Sequence, residues 1–172
     1  MGKLLMAKKI YYYDFLEFET KRFLVAATNR GLSFVSSPNK QFDEFYYFFP
    51  QQMMVQSSKI VAPYIKQLSE YLHGLRKEFT LNLDYEDFGT DLQNKIYSMV
   101  QRIPYGTTIS SQNIALALCP SVSIREVEHA VQLNPILFVI PSHRVDFSFH
   151  KNSTRRVGLD MLEYVLALER SN

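Results

Sequence analysis

Residues 134–145, NPILFVIPSHRV, are the most informative stretch of the chain. The Asn-Pro pair is typical of a turn, and the five apolar residues that follow it predict a buried strand over 136–140. Pro141 ends the apolar run, and Ser142, His143 and Arg144 come directly after it. A hydroxyl beside an imidazole suggests chemistry, but Ser-His pairs are common, and the pair by itself favours a structural turn.

The chain before this stretch has two patterns. Residues 8–35 are rich in β-forming residues and contain a turn signal, which predicts two or three antiparallel strands. The aromatic run 42–49 is compatible with strand or helix, and core packing explains it better than a base-stacking platform. Apolar residues spaced by four over 60–72 predict a helix that Gly74 ends. Alternation over 79–85 predicts one more strand.

From residue 88 onward the pattern is helical. An apolar stripe over 88–100 predicts one helix, with Thr90 or Asp91 near its cap. Two short helices follow, one over 112–118 and one that the capping pair Ser123 and Glu126 begins. They have the outline of a helix-turn-helix, which is a common arrangement in small helical domains. A final amphipathic helix ends near Glu169.

Composition excludes several classes of protein. The chain has 172 residues, 47% of them hydrophobic, with 19 basic and 17 acidic side chains. A split at residue 87 gives 11 basic against 10 acidic residues and then 8 against 7, so each half carries +1. Neither half is a basic module, and DNA binding would have to depend on a local site.

Other features concern location and cofactors. No apolar stretch is long enough to span a membrane, and the first nine residues do not match a secretory signal. Cys119 is the single cysteine, which excludes an intramolecular disulfide and a Cys-rich metal site. We therefore expect a cytoplasmic monomer without a metal or another cofactor.

The second half resembles the O6-alkylguanine-DNA alkyltransferases, the methylated-DNA–protein-cysteine methyltransferase family. The matching stretches, in family order, are FGTDLQNKIYSMVQRIPYGTTIS (88–110), IREV (124–127), Asn134-Pro135, IPSHRV (140–145) and GLDMLEYVLALE (158–169). The first half resembles the family's N-terminal domain in length and element order only.

The resemblance implies an α/β (α+β) fold with two domains. Residues 1–86 would form a ribonuclease-H-like domain with a small sheet. Residues 87–172 would form a winged-helix-like DNA-binding domain that contains the helix-turn-helix.

The resemblance also implies a chemistry. In the family, a flipped-out O6-alkylguanine enters a pocket, and a cysteine thiolate takes its alkyl group irreversibly. His143 matches the base that removes the thiol proton through a water, and Glu169 matches the carboxylate that orients it. Asn134 matches the residue that shapes the pocket wall. The implied partner is double-stranded DNA containing alkylated guanine.

For DNA binding, Arg125 matches the arginine that enters the base stack in place of the flipped nucleotide. Ser110 and Gln112 lie where the family's first helix meets the DNA backbone, with Ser111 between them at a position that is normally tyrosine. Arg155, and Arg156 after it, replace a Tyr-Ser pair that lies over the alkyl group.

The acceptor position departs from the family, because residue 142 is serine. A hydroxyl is much harder to ionise than a thiol, whose pKa is about 8.5, and it is a poorer nucleophile toward saturated carbon. We therefore expect alkyl transfer to be lost. Cys119 cannot replace the missing thiol, since it occupies the turn between the two short helices.

Acidic residues on the second short helix bear on DNA affinity. If this helix docks as in the family, Glu126 and Glu128 would face phosphate, which is unfavourable. Arg155 and Arg156 would compensate if their loop lies near the strand.

Several alternatives stay open at this point. Ser142 could result from an engineered Cys-to-Ser change in an active repair methyltransferase, although the number of other departures favours natural divergence. The fold could serve as a DNA-independent binding or regulatory protein. A hydrolase built on Ser142, His143 and Glu169 is the least favoured, because the chain has no G-x-S-x-G motif.

Overall fold

The computed structural model describes residues 9–85, 87–149 and 155–172, and the structural statements below refer to these residues. A four-stranded sheet opens the chain, in the order β3-β2-β1-β4. Strand β2 is antiparallel to both β1 and β3, whereas β4 is parallel to β1. The strands are β1 Ile10–Phe18, β2 Lys21–Ala27, β3 Leu32–Val35 and β4 Met53–Gln56.

Two helices accompany the sheet, and four more form most of the second half. Their bounds are α1 Gln41–Phe48, α2 Ser58–Leu72, α3 Asp91–Val100, α4 Ser111–Leu118, α5 Ile124–Gln132 and α6 Leu159–Ser171. A 3₁₀ turn, Ser142–Arg144, lies between α5 and α6. It leads into β6 Val145–Asp146, which pairs in parallel with β5 Ile109–Ser110.

Alternation along β2 divides the core into two clusters, since successive side chains of a strand point to opposite faces of a sheet. Leu24 and Ala26 pack with Phe45 and Phe49 of the α1 region. Phe23 and Val25 belong to a larger cluster that includes α2 and the helices of the second half. The same sheet thus supports its own helix on one face and the second half of the chain on the other.

Local signals predicted most elements correctly. The three antiparallel strands and the α2 helix with Gly74 at its end are confirmed. The core role of the aromatic run is confirmed for its phenylalanines, whereas Tyr46 and Tyr47 are exposed. Thr90 caps α3, and Ser123 forms a capping box with Glu126 at the start of α5. These caps satisfy backbone N–H groups that have no partner inside the helix.

Two strand predictions were wrong. Residues 79–85 make only an isolated bridge between Leu83 and Leu32. Residues 136–140 form a turn in which Phe138 has a left-handed backbone, with φ at 70°. The apolar run is buried because its side chains fill the core between the two halves, where Phe138 lies against Phe23 and Tyr71. Ile136 makes an isolated bridge with Val35, but no strand continues from it, and burial without an extended strand explains the error.

None of the helices in the described ranges combines the length and the apolar character required to cross a membrane.

Candidate active site and nucleic-acid interface

Ser142 lies at the start of the 3₁₀ turn and is almost buried, with 9% of its surface exposed. Asn134 fixes its surroundings. The Asn134 Nδ2 donates to the carbonyl of Ile140 at 2.7 Å and to the Ser142 Oγ at 3.3 Å, while its Oδ1 accepts from the Ile136 N–H at 2.9 Å. One buried amide therefore closes the 134–140 turn and contacts the serine hydroxyl.

His143 and Glu169 form a buried pair behind Ser142. The His143 Nε2 lies 2.8 Å from the Glu169 Oε1, and both side chains are almost fully buried. A neutral imidazole that donates from Nε2 leaves Nδ1 as the nitrogen that can accept a proton. The structure thus brings together three residues that the sequence predicted for one site, namely Asn134, His143 and Glu169.

Other donors complete the environment of Glu169. The Tyr71 hydroxyl, on α2, donates to the Glu169 Oε1 at 2.6 Å and lies 3.1 Å from the His143 Nε2. The Arg144 Nε lies 3.0 Å from the Glu169 Oε2, and Arg144 also donates to the Ile103 carbonyl at 2.7 Å. The backbone N–H of Gly106 donates to the Glu169 Oε2 at 3.0 Å.

These contacts determine the protonation states of the pair. Burial lowers the pKa of His143 below its ordinary value, despite the neighbouring carboxylate. Burial alone would raise the pKa of Glu169, but hydrogen bonds from His143, Arg144 and Tyr71 hold it far below the ordinary range. A neutral imidazole therefore donates to an ionised carboxylate.

The opposite side of Ser142 is occupied by arginine. The Arg155 Nη1 donates to the Ser142 carbonyl at 2.6 Å, and its Nη2 donates to the Val145 carbonyl. Its guanidinium lies over the Phe147 ring, with 3.7 Å between the guanidinium carbon and the ring centroid. The cavity that remains beside Ser142 has a volume of about 10 Å³, space for a single water at most.

Arg156 connects this region to the first half of the chain. Its Nη2 lies 2.9 Å from the Glu44 Oε2 and donates to the Val35 carbonyl at 3.1 Å. Its Nη1 donates to the Asn134 carbonyl. The turn that holds Ser142 is therefore attached to the sheet through one arginine.

The surface of α4 and α5 contains three of the residues predicted to contact DNA. Ser110 caps α4, with its Oγ accepting from the Asn113 N–H at 3.1 Å, and Gln112, two residues later, is exposed. Arg125 is exposed near the start of α5, and its guanidinium carbon lies 4.7 Å from the centroid of the Phe149 ring. Because β5 pairs with β6, this surface is joined directly to the Ser142 turn.

Three expectations about phosphate contacts need correction. Ser111 is fully buried and donates to the Glu128 Oε1 at 2.7 Å. Glu128 is also buried, where it accepts from the backbone N–H groups of Ser148 and Phe149, so it does not face phosphate. Arg155 is buried against Ser142 rather than exposed to a DNA strand.

Cys119 ends α4 at the surface, where it is hydrogen-bonded to Ser121. The hydrolase alternative also loses support. In the described part of the chain, the Ser142 Oγ bonds to Asn134, while the His143 Nε2 bonds to Glu169 and Tyr71. A directly coupled Ser-His nucleophile is absent from these contacts.

Comparison with known proteins agrees with this arrangement. Residues 91–171 match the family described as 6-O-methylguanine DNA methyltransferase, DNA binding domain, and residues 11–85 match its ribonuclease-like domain. The chain is 33% identical over 167 residues to an inducible methylated-DNA–protein-cysteine methyltransferase of Bacillus subtilis. This match covers 95% of the chain and 92% of the relative.

The chain belongs to the methylated-DNA–protein-cysteine methyltransferase family. Solved structures agree in fold. A variant of the Mycobacterium tuberculosis O6-methylguanine methyltransferase is 25% identical, with a TM-score of 0.79 and coverage of 94% of this chain and 93% of that one. A structure of the Mycobacterium tuberculosis OGT in complex with DNA gives a TM-score of 0.74 at 24% identity, with the same coverage.

Sequence reasoning missed two members of the methyltransferase-family site. Arg144 stands in the quoted motif, but its role as a counter-charge to Glu169 had no separate signal. Tyr71 lies on α2, in the first half of the chain, and its hydroxyl is buried at the centre of the pair. A helical apolar stripe does not indicate that one of its aromatic residues will donate to a carboxylate across the domain interface.

Proposed function

We propose that this member of the methyltransferase family binds double-stranded DNA containing O6-alkylated guanine and has lost direct alkyl transfer. The observation that carries the proposal is the hydroxyl of Ser142 beside an intact Asn134, His143 and Glu169 arrangement. The family membership supports DNA as the partner, as does the fold shared with a protein that has been crystallised on DNA.

The binding step would use the surface of α4 and α5. Ser110 and Gln112 would contact the DNA backbone at the start of α4. Arg125, exposed at the start of α5, would enter the base stack in place of the flipped nucleotide. The short β5–β6 pairing would then hold the Ser142 turn at a fixed distance from that helix pair.

The transfer step explains why the serine matters. In a thiol-bearing relative, a C–S bond forms as the C–O bond of the alkylated base breaks, and the thiol proton passes through water to the imidazole. The guanine leaves with the electron pair of that C–O bond and takes up a proton from solvent. Nδ1 of His143 is the nitrogen available for the thiol proton, since Nε2 is bonded to Glu169. A serine hydroxyl holds its proton far more tightly, and attack on a saturated carbon forms no tetrahedral oxyanion intermediate that backbone donors could stabilise. The relay therefore has no effective nucleophile to activate.

Transfer of a radiolabelled methyl group from an O6-methylguanine duplex tests this proposal. We expect no label on the wild-type protein and labelling of the S142C variant, with S142A as the matched unlabelled control. Labelling of S142C would show that the pocket still supports transfer, which an engineered Cys-to-Ser change also predicts. A stable methyl ether on Ser142 of the wild type would contradict the proposed loss of transfer.

Binding needs a separate measurement. Gel-shift titration with duplexes that contain either O6-methylguanine or guanine should show tighter binding of the modified duplex. R125A should weaken binding of both duplexes, whereas R170A removes an exposed arginine from α6 and serves as the control for lost charge.

A DNA-independent binding protein is the second candidate function. The nearly filled space beside Ser142 favours it, because a pocket of about 10 Å³ admits no base. Equal and negligible shifts of both duplexes would favour this candidate over the first.

A further inference from the structure

Among the described residues, Arg155 lies in the space beside Ser142. The cavity there has a volume of about 10 Å³, and its lining includes Ser142, Phe147 and Arg155. A single purine occupies far more space than one water, so none fits beside Ser142 in this conformation. What occupies the space therefore bears directly on whether this chain can bind a base.

Arg155 occupies it with a defined geometry. Two nitrogens of its planar guanidinium donate to the carbonyls of Ser142 and Val145, and the plane lies over the Phe147 ring at 3.7 Å. Two acceptors beside an aromatic face form a slot for a flat group that presents N–H donors. Guanine presents two N–H donors through its exocyclic amine, and alkylation at O6 keeps that amine although it removes the proton from ring N1.

The charge of Arg155 makes this position an unfavourable one. Burial lowers the pKa of Arg155 to about 10, even though Asp146 and Glu128 act in the opposite direction. Phosphate offers this cation another partner, so approach of a DNA backbone would favour withdrawal of the side chain from the slot.

We propose that Arg155 determines whether a base enters the space beside Ser142. Its guanidinium takes the place of the exocyclic amine of guanine, and a base binds only when Arg155 withdraws. This inference rests on the proposed DNA function and adds a chain-specific determinant of base selection to it. Affinity for a flipped base is then reduced by the fraction of molecules in which the slot is open.

Fluorescence anisotropy with labelled duplexes tests the role of Arg155. The ratio of affinities for an O6-methylguanine duplex and a guanine duplex should rise about tenfold or more in R155A relative to wild type. R170A should leave the ratio at the wild-type value. An unchanged ratio in folded R155A, with duplex binding retained, would overturn the proposal.

A second variant covers the case in which R155A does not fold. Arg155→Lys keeps the charge and the length but cannot present a flat edge to both carbonyls. The ratio should rise in R155K too, by less than in R155A. An unchanged ratio in folded R155K would count against the proposal as strongly.

A measurement without DNA separates this inference from the proposed function. If neither protein binds any duplex, the DNA function fails, and the slot is tested by thermal unfolding in methylguanidinium chloride against equal sodium chloride. A rise in Tm of R155A that wild type does not show would indicate that the ion refills the slot. Equal responses of the two proteins would refute the assignment of a guanidinium-shaped slot.

Discussion

The two sides of Ser142 differ in the contacts that surround the residue. Behind it, Glu169 receives hydrogen bonds from His143, Arg144 and Tyr71, and the arrangement is complete. In front of it, the Arg155 guanidinium donates to the Ser142 carbonyl beside a cavity of only about 10 Å³. The hydrogen-bonded cluster around Glu169 is thus complete, whereas little open space remains on the opposite side of Ser142.

A physical reason for the difference lies in the fold. The buried carboxylate of Glu169 neutralises Arg144 and joins α2, α6, the 3₁₀ turn and the loop at Gly106. Loss of either charge would leave the other buried without a counter-charge. We therefore expect this buried cluster to be required for stability, whereas an open space in front of Ser142 would neutralise no charge.

Removal of the Glu169 carboxylate should cause the greatest loss of folding stability. E169A should lower the free energy of unfolding by about 3–5 kcal/mol, because Arg144 would remain buried and uncompensated. Urea denaturation measures the change, with E163A, an exposed glutamate on the same helix, as the control. A loss in E169A no greater than that in E163A would show that the relay is not structural.

Substitution of Arg156 measures how much the contacts in front of Ser142 contribute to folding stability. R156A breaks the pair with Glu44 and the bonds to the Val35 and Asn134 carbonyls. Since both partners are slightly exposed, we expect a smaller loss of about 2–3 kcal/mol. The same urea assay applies, with R170A as the control. Equal stability of the two variants would mean that the front side contributes nothing to the fold.

Tyr71 tests the contribution of a single hydroxyl to the cluster behind Ser142. Y71F removes the hydroxyl that donates to Glu169 and keeps the ring, which should cost about 2 kcal/mol. Y47F, on an exposed tyrosine of α1, is the matched control and should leave stability unchanged. In the S142C background, Y71F should also slow methyl transfer, since the orientation of His143 would be less restricted. A transfer rate equal to that of S142C would limit Tyr71 to a structural role.

The smallest effect concerns pH. The folded pKa of His143 lies below its ordinary 6.5, so the unfolded chain binds a proton more readily there. The free energy of unfolding should therefore fall as pH drops through 6.5, with a slope of at most about 1.4 kcal/mol per pH unit for one proton. Glu169, whose pKa is also lowered, adds a further fall below 4.5.

Denaturation of wild type and H143Q across this pH range checks the assignment. H143Q should lack the first fall and keep the second. A persistent first fall in H143Q would assign it to another group.

Those parts of the fold and of the candidate site that depend on local sequence patterns were predictable. Cap residues such as Thr90 and Ser123 act within one turn of a helix, so their sequence neighbours suffice to identify them. The resemblance likewise selected Asn134, His143 and Glu169, which the structure brings together.

Contacts between distant segments were not predictable in the same way. Tyr71 meets Glu169 across 98 positions of sequence. The burial of Arg155 and Glu128 depends on contacts that are distant in sequence, since Arg155 donates to the Ser142 carbonyl and Glu128 accepts from the Ser148 N–H. The apolar composition of residues 136–140 predicted correctly that they are buried. It could not predict the left-handed backbone of Phe138, which turns the chain.

Tyr71 and Glu44 have a consequence for any attempt to shorten this protein. Both belong to the first half of the chain, yet one completes the relay behind Ser142 and the other anchors Arg156 in front of it. A fragment that starts at residue 87 would retain every matched motif and lose both supports. The two halves are thus not independent modules. We expect the second half alone to form an incomplete site, because it lacks the contacts of Tyr71 and Glu44.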